Sequence, residues 1–427
     1  MRRTAMLWEV FVSRFEEALE QYERHRLTAE EAGELLGMSG RNFRRLCVRY
    51  EEDGIEGLRD RRIGKVSPRR ASARELERMH DLYRESYSDF TVKHFHEQLV
   101  RRHNYKLCYT VTKLSLQAAG LVAKAKRRGA HRKKRVRRPL PGMLLFQDAS
   151  KHRWIAALGR DLDLVVTMDD ATGAIYSAFL VEEEGTMSSF LGLAETIAAQ
   201  GLFGSLYTDR GGHYFFTRKG ESKVDKKELT QVGRALSQLG ITHIPSYSPQ
   251  GRGRMERVFG TLQKRLPQEL RLAKIRTIAG ANRYLKERFI ADYNARFAVP
   301  AAEPGSAFTP YVGRPIEDVL CVQEDRVVGA DNCVSYNRRS LQIPRQRHRQ
   351  HYVRARVRVH EYPDGSLAIF DGPRCVVRFD PKGRGSDSTA ETGKNTGKPP
   401  PTVSKIPVGG TSCPALTGTK SIFDEIA

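Results

Sequence analysis

Two apolar runs in this chain end on a carboxylate, and that combination leaves few folds open. Met143-Leu144-Leu145-Phe146-Gln147 leads into Asp148, and Leu206-Tyr207-Thr208 leads into Asp209-Arg210-Gly211-Gly212. Short apolar runs of this kind read as buried strands, where an ionised carboxylate is costly unless a cation offsets it. A third carboxylate, Glu256, follows the turn Tyr247-Ser248-Pro249-Gln250-Gly251 and begins a basic helix. A divalent metal is an effective counter-charge for such groups. Three of them in a strongly basic chain point to a metal-dependent enzyme acting on nucleic acid.

The surrounding pattern sets the architecture. Strand-like runs cover 143–148, 162–168, 174–181, 204–208 and 241–244, and helical patterns cover 186–200, 227–239, 253–271 and 278–296. Three early strands followed by alternating helices and strands imply a mixed α/β sheet with helices on its faces. Asp148 and Asp209 then emerge side by side from adjacent strands, with the Glu256 helix across them. Along that helix Val258, Phe259, Leu262 and Leu266 form the packing face. Glu256, Gly260 and Lys264 share a neighbouring face, and Arg252, Arg254 and Arg257 crowd its start. Arg252, Arg254, Arg257 and Lys264 are candidate phosphate contacts. Asp169-Asp170 precedes Ala171-Thr172-Gly173 and reads as a strand-end turn rather than a rival catalytic position, and Asp161 and Asp163 read as loop residues.

Charge identifies the partner. With 73 Lys and Arg against 50 Asp and Glu, the formal charge is +23, which draws the chain to polyanions. No acidic residue lies between Glu97 and Asp148, and the cations peak in His131-Arg132-Lys133-Lys134-Arg135-Val136-Arg137-Arg138. A stretch so empty of acids reads as a phosphate-contacting arm rather than a solvated face. Arg132, Lys133, Lys134 and Arg135 are its candidate DNA contacts.

The N-terminal third is helical. Leu7, Phe11, Phe15, Leu19 and Tyr22 make a helical stripe, Thr28-Ala29-Glu30-Glu31 is a capping box, and Gly37-Met38-Ser39 is a tight turn before a helix bearing Arg41, Asn42, Arg44 and Arg45. Helix, glycine turn and basic helix is a helix-turn-helix pattern, with Arg41, Asn42, Arg44 and Arg45 as its candidate DNA contacts. Helical patterns over 72–86, 91–103 and 110–119 suggest a second helical DNA-binding domain. The expected division is 1–66 and 67–125 for these two domains, 126–139 for a basic linker and 140–305 for the α/β core. A small β-barrel over 321–380 and a disordered tail over 381–427 complete it. In the barrel region Pro363-Asp364-Gly365 is a hairpin turn. The run Arg345-Gln346-Arg347-His348-Arg349 and the alternating Arg354, Arg356 and Arg358 suggest DNA contact there.

Other classes lack support. The apolar stretch Met6–Val12 is short and carries Glu9, unlike a secretory signal, and no run approaches the roughly twenty apolar residues of a membrane span. Six scattered cysteines with no Cys-x-x-Cys pair fit a reducing cytoplasm. His94, His96, His103 and Cys108 match no zinc-ligand spacing.

Phe146-Gln147-Asp148-Ala149-Ser150 with His152 and Trp154, then Tyr207-Thr208-Asp209-Arg210-Gly211, then Ser248-Pro249-Gln250-Gly251-Arg252-Gly253-Arg254-Met255-Glu256-Arg257, resemble the three catalytic blocks of DDE transposases with an integrase-type core. More narrowly, they are similar to bacterial insertion-sequence transposases of the ISNCY type. Leu35-Leu36-Gly37-Met38-Ser39 with Arg44-Arg45-Leu46, and Gly57-Leu58 leading to Arg61-Arg62-Ile63-Gly64-Lys65, are similar to that family's first helix-turn-helix and linker. The resemblance covers roughly residues 10 to 380. It implies an RNase H-like core in which Asp148, Asp209 and Glu256 bind two magnesium ions, with manganese able to substitute. It also implies double-stranded DNA as partner, both element ends and target, and a homo-oligomer on that DNA in the bacterial cytoplasm, associated with the nucleoid. The chain departs from retroviral integrases in the longer gap between Asp209 and Glu256, which the polar stretch 217–226 accounts for, and in having no paired His/Cys zinc domain before the core. Two alternatives stand beside transposition. One is a DNA-binding regulator that has lost its chemistry, and the other is a metal-dependent nuclease without strand transfer.

Overall fold

The computed structural model describes residues 2–60, 70–124, 135–218, 223–225, 227–247, 249–346 and 349–386, and it leaves the side chains of 2–7, 249–252 and 386 undescribed. The chain forms two compact units, residues 1–128 and 129–427.

The first unit is helical. Helices α1 (Arg2–Glu23), α2 (Ala29–Leu35) and α3 (Gly40–Asp53) enclose Phe15, Ala32, Phe43 and Leu46. The expected capping box is present. The backbone N–H of Thr28 donates to the Glu31 carboxylate at 2.8 Å, and the Glu31 N–H donates to the Thr28 hydroxyl at 3.3 Å. Ser39 caps α3 through the Asn42 N–H at 3.3 Å, so both α2 and α3 begin on a side-chain cap. A Cβ on Gly57 would lie 1.9 Å from the Arg49 carbonyl oxygen, so only glycine lets the chain fold back on α3 there. Helices α4 (Ala73–Ser86), α5 (Val92–Arg102) and α6 (Tyr109–Ala118) follow, with Tyr83, Phe95, Leu99 and Leu116 buried. The histidines of this region make separate contacts: His94 stacks on Phe90, His96 meets the Thr112 hydroxyl at 3.2 Å, and His103 meets the Tyr87 hydroxyl at 3.0 Å.

The second unit contains the mixed sheet. Strands β1 (Leu145–His152), β2 (Leu162–Asp169), β3 (Ile175–Val181), β4 (Ser205–Thr208) and β5 (Thr242–Pro245) lie in the order β3-β2-β1-β4-β5. Strand β2 runs antiparallel to both β1 and β3, while β4 and β5 run parallel to β1. Asp163 belongs to β2, paired with Lys151 and Val181, rather than to a loop as its polar surroundings suggest. Helices α7 (Thr186–Gln200) and α8 (Gln231–Gln238) cover one face, burying Leu145, Leu193, Leu206 and Leu236 together. A Cβ on Gly192 of α7 would lie 2.7 Å from the Gln147 side chain. The other face is covered by α9 (Pro249–Leu262), α10 (Leu266–Leu272), α11 (Ile278–Tyr284) and α12 (Ile290–Phe297), packed on Leu144, Phe146, Leu164, Val166 and Met168.

The helix expected over 253–271 is two helices. It breaks at 263–265, where the Lys264 N–H donates to the Thr261 carbonyl at 3.2 Å, and α10 restarts with a proline in its first turn. Pro267 has no N–H to continue the α9 ladder. Lys264 therefore does not extend the Glu256–Gly260 face.

The segment after α12 is fastened to the core, with Leu202 and Thr309 exchanging backbone hydrogen bonds at 2.7 and 2.9 Å. Strands β6 (Val322–Val327), β7 (Cys333–Tyr336), β8 (Arg339–Gln342), β9 (Arg356–Glu361), β10 (Leu367–Asp371), β11 (Arg374–Phe379) and β12 (Gly385–Ser386) follow. Among the described residues they form an antiparallel sheet in the order β12-β11-β10-β9-β6 and a separate β7-β8 hairpin, not a continuously hydrogen-bonded ring. Strand β12 carries the sheet into the start of the segment expected to be a disordered tail, and residues 387–427 lie outside the described residues.

Candidate active site

Successive strand residues face opposite sides of a sheet. Leu144, Phe146 and Tyr207 pack in the core that includes α9, so Asp148, two residues beyond Phe146 on β1, shares that side. Phe146 pairs with Tyr207 across the parallel β1–β4 ladder; Asp148 lies two residues further along β1, and Asp209 follows the last residue of β4. Asp148 is buried, 7% exposed, and accepts the Ala149 N–H at 3.1 Å. Asp209 stands just past β4, and its carboxylate accepts the Gly211 N–H at 2.8 Å.

The third carboxylate depends on how α9 lies. Its Met255, Val258, Phe259 and Leu262 are buried against the sheet. Two polar contacts fix the helix along β1. Near its start Arg254 pairs with the buried Asp170 carboxylate at the end of β2, and just past its end the Gln263 amide donates to the Ser150 hydroxyl of β1 at 3.0 Å. At a rise of about 1.5 Å per residue, Glu256 stands about 3 Å along the axis from Arg254. It is exposed, at the margin of the apolar face, over the Asp148 side of the sheet. Among the described residues, no three His, Cys, Asp or Glu side chains are close enough together to hold a metal ion. Adjacent strands β1 and β4 thus carry Asp148 and lead into Asp209, while Glu256 lies on α9 and is exposed. Carboxylates are hard oxygen donors, the class that suits hard divalent cations such as magnesium.

Behind Asp148 is a polar network that the sequence did not single out. The Tyr214 hydroxyl donates to the Gln147 side-chain carbonyl at 3.2 Å, accepts from Ser189 at 3.2 Å and lies 3.5 Å from Glu184. Burial pushes the Tyr214 phenol well above its usual range, Glu184 adds to this, and Asp148 and Asp209 contribute further. Glu184 is also 3.5 Å from His213. His213-Tyr214 directly follows Asp209-Arg210-Gly211-Gly212, so proximity to that block was the available signal. His243 meets the Thr208 hydroxyl at 3.0 Å and stacks on Phe215, and its burial, with His213 nearby, lowers it to about 3.

The candidate DNA contacts divide by environment. On α3, Arg41 and Arg45 are exposed, Arg45 donates to the Asn42 side chain at 2.7 Å, and Arg44 pairs with Glu30 at 3.1 Å. Arg135 and Arg254 both engage Asp170, whereas Arg257 and Lys264 are exposed. Arg132, Lys133 and Lys134 lie outside the described residues, as does the side chain of Arg252. In the C-terminal sheet Arg356 is exposed, while Arg349 pairs with Asp371 and Arg358 with Asp325, both at 2.9 Å. Among the described residues no helix is long and apolar enough to cross a membrane.

Comparison with known proteins agrees with this organisation. Residues 16–65 match the family described as a helix-turn-helix domain, and DNA is the partner such a domain serves. The chain is 28% identical over 299 residues to the transposase for insertion sequence IS1202 of Streptococcus pneumoniae, spanning 61% of this chain and 63% of that protein. Among solved structures, the simian T-cell lymphotropic virus intasome in complex with PP2A regulatory subunit B56 gamma aligns at 15% identity. That alignment covers 63% of this chain and 88% of the other, with a TM-score of 0.31, too low to define a common overall fold. Over 346 residues the chain is 32% identical to y4bF of Sinorhizobium fredii (strain NBRC 101917 / NGR234), named as a transposase, covering 81% of this chain and 75% of that protein. On that identity and coverage the chain belongs to the transposase family.

Proposed function

We propose that this transposase cuts DNA at the ends of its element and joins the freed 3′-hydroxyl to target DNA, using Asp148, Asp209 and Glu256 as a DDE carboxylate site. The observation that supports the reading is that β1 and β4 are adjacent parallel strands with Phe146 opposite Tyr207, Asp148 lying two residues further along β1 and Asp209 just past the end of β4. The sheet order supports an RNase H-like core. Asp148 and Asp209 would hold two magnesium ions, with Glu256 closing the set once DNA is bound. Such ions, when present, supply charge neutralisation at the scissile phosphate and activate the attacking oxygen.

The protein's own part is binding and positioning. The buried Asp148 is held by its strand pairing, and the Gly211 N–H orients Asp209. The exposed Arg257 and Lys264 approach the backbone phosphates, and Arg41 and Arg45 on α3 read the element end. The 1–66, 67–125, 126–139, 140–305 and 321–380 segments serve as two DNA-binding domains, arm, core and a small β domain. Two DNA ends must be held together, which calls for an oligomer on DNA.

The test offers linear DNA carrying a free 3′-hydroxyl element end together with supercoiled target and magnesium or manganese. Joined product is the expected result. Cutting without joining supports a nuclease, and DNA binding without either reaction supports a regulator.

A further inference from the structure

Asp170 is fully buried, yet no step of the proposed chemistry uses it. Its carboxylate receives the guanidinium of Arg254 and that of Arg135 on one oxygen, and the Arg138 N–H on the other at 2.8 Å. Arg254 also donates to the Arg135 carbonyl at 2.5 Å, and Arg137 donates to the Asp170 and Ala171 carbonyls at 2.9 and 3.2 Å. The neighbouring Asp169 is held separately, by the Gly142 N–H at 3.0 Å and by the Thr172 N–H and hydroxyl at 2.7 and 2.8 Å. One buried anion therefore gathers three separate parts of the chain: the end of the basic arm, the β2–β3 turn and α9.

The geometry of α9 gives this gathering a consequence. At about 100° per residue, Arg254 and Glu256 flank the buried stripe of Met255, Val258, Phe259 and Leu262 on opposite sides. Anchoring Arg254 fixes the roll of the helix about its axis, and the roll decides where Glu256 points. We infer that Asp170 is a positioning residue for Glu256, acting through Arg254; this rests on the reading of Glu256 as the third carboxylate. Without the Asp170 charge, Arg254 and Arg135 repel each other in a half-buried site. Burial and the charge of Arg254 already lower the Arg137 guanidinium, while Asp170 and Asp169 raise it, so Asp170 is part of what keeps the cations together.

The experiment uses the full-length chain with Asp170→Asn, Arg254→Gln, the double variant, Arg254→Lys and Glu256→Gln. Two readouts are taken: amide hydrogen exchange over residues 253–262, and Mn2+ binding by electron paramagnetic resonance. The expected result is faster exchange in α9 and roughly tenfold weaker Mn2+ binding in each charge-removing single variant, as for other residues that orient a metal ligand. The double variant is expected to be no worse than the poorer single one, and Arg254→Lys, which keeps the charge, to lie nearer the parent. Unchanged exchange and Mn2+ affinity, or losses that add in the double variant, overturn the inference. If Asp170→Asn does not fold, the comparison of Arg254→Lys with Arg254→Gln decides it. Parental Mn2+ binding in Glu256→Gln removes the third-carboxylate reading itself. Weakened binding in Glu256→Gln with none in the Asp170 and Arg254 variants overturns only the positioning role.

Discussion

Asp148 and Asp209 stand out in the sequence because a charged group at the end of an apolar run is hard to explain as packing, and the two apolar runs form the neighbouring parallel strands β1 and β4. Asp170 illustrates the opposite case. Its place after a strand and before Ala171-Thr172-Gly173 reads as a turn, which it is. Its arginine partners, however, lie 35 and 84 residues away in sequence, and no local pattern announces such a pairing. The same contacts change the meaning of Arg135 and Arg254, which look like free cations in the sequence and are engaged by a buried anion in the fold. On α3 the environments differ in a testable way. Arg41 and Arg45 are exposed, whereas Arg44 is paired with Glu30. Arg41→Ala and Arg45→Ala should each lower the slope of log affinity against log salt by about 0.9, the value for one lost phosphate contact on duplex DNA. Arg44→Ala should change it less. Fluorescence anisotropy across a salt series measures this, and three unchanged slopes would place the DNA contact elsewhere.

Among the elements, the capping box at Thr28, the serine cap of α3 and the core strands follow from local chemistry, and the structure contains them. The break between α9 and α10 is concealed because Leu262, Leu266 and Leu270 keep helical spacing across it and all enter one core. The visible mark of the break is Pro267. The segment around Thr309 pairs with Leu202, a contact that only the assembled fold provides. Two substitutions in the first helical unit should separate local from close-packed contributions. Thr28→Ala removes one cap and should cost about 1 kcal/mol. Gly57→Ala drives a methyl against the Arg49 carbonyl, and should cost about 3 kcal/mol, as overpacking does at its upper end. Chemical denaturation followed by circular dichroism ranks them, and a Gly57→Ala loss smaller than that of Thr28→Ala would contradict the close approach.

At the scale of the whole molecule, a +23 chain pairs a helix-turn-helix unit with a mixed-sheet core, and the charge indicated nucleic acid before any motif did. The second unit also carries a pH dependence. Burial lowers His243 to about 3 and His360 to about 4, so both stay neutral in the folded state. Unfolded imidazoles titrate near 6.5. Below that pH the unfolded chain takes up protons that the folded chain refuses, so stability is complete above about pH 6.5 and falls as pH drops toward 4, by at most about 1.4 kcal/mol per pH unit for each imidazole. Melting temperatures between about pH 7 and pH 5 should fall, and less steeply in His360→Gln; a flat profile contradicts the assignment. The most direct test of the central claim is nicking of supercoiled DNA with magnesium or manganese by the parent, Asp148→Asn, Asp209→Asn and Glu256→Gln, each first shown to fold and bind DNA. Each substitution removes a charge with little change of shape and should lower the metal-dependent rate by about two to three orders of magnitude. Nicking at the parental rate in any of the three would contradict that carboxylate's place in the site.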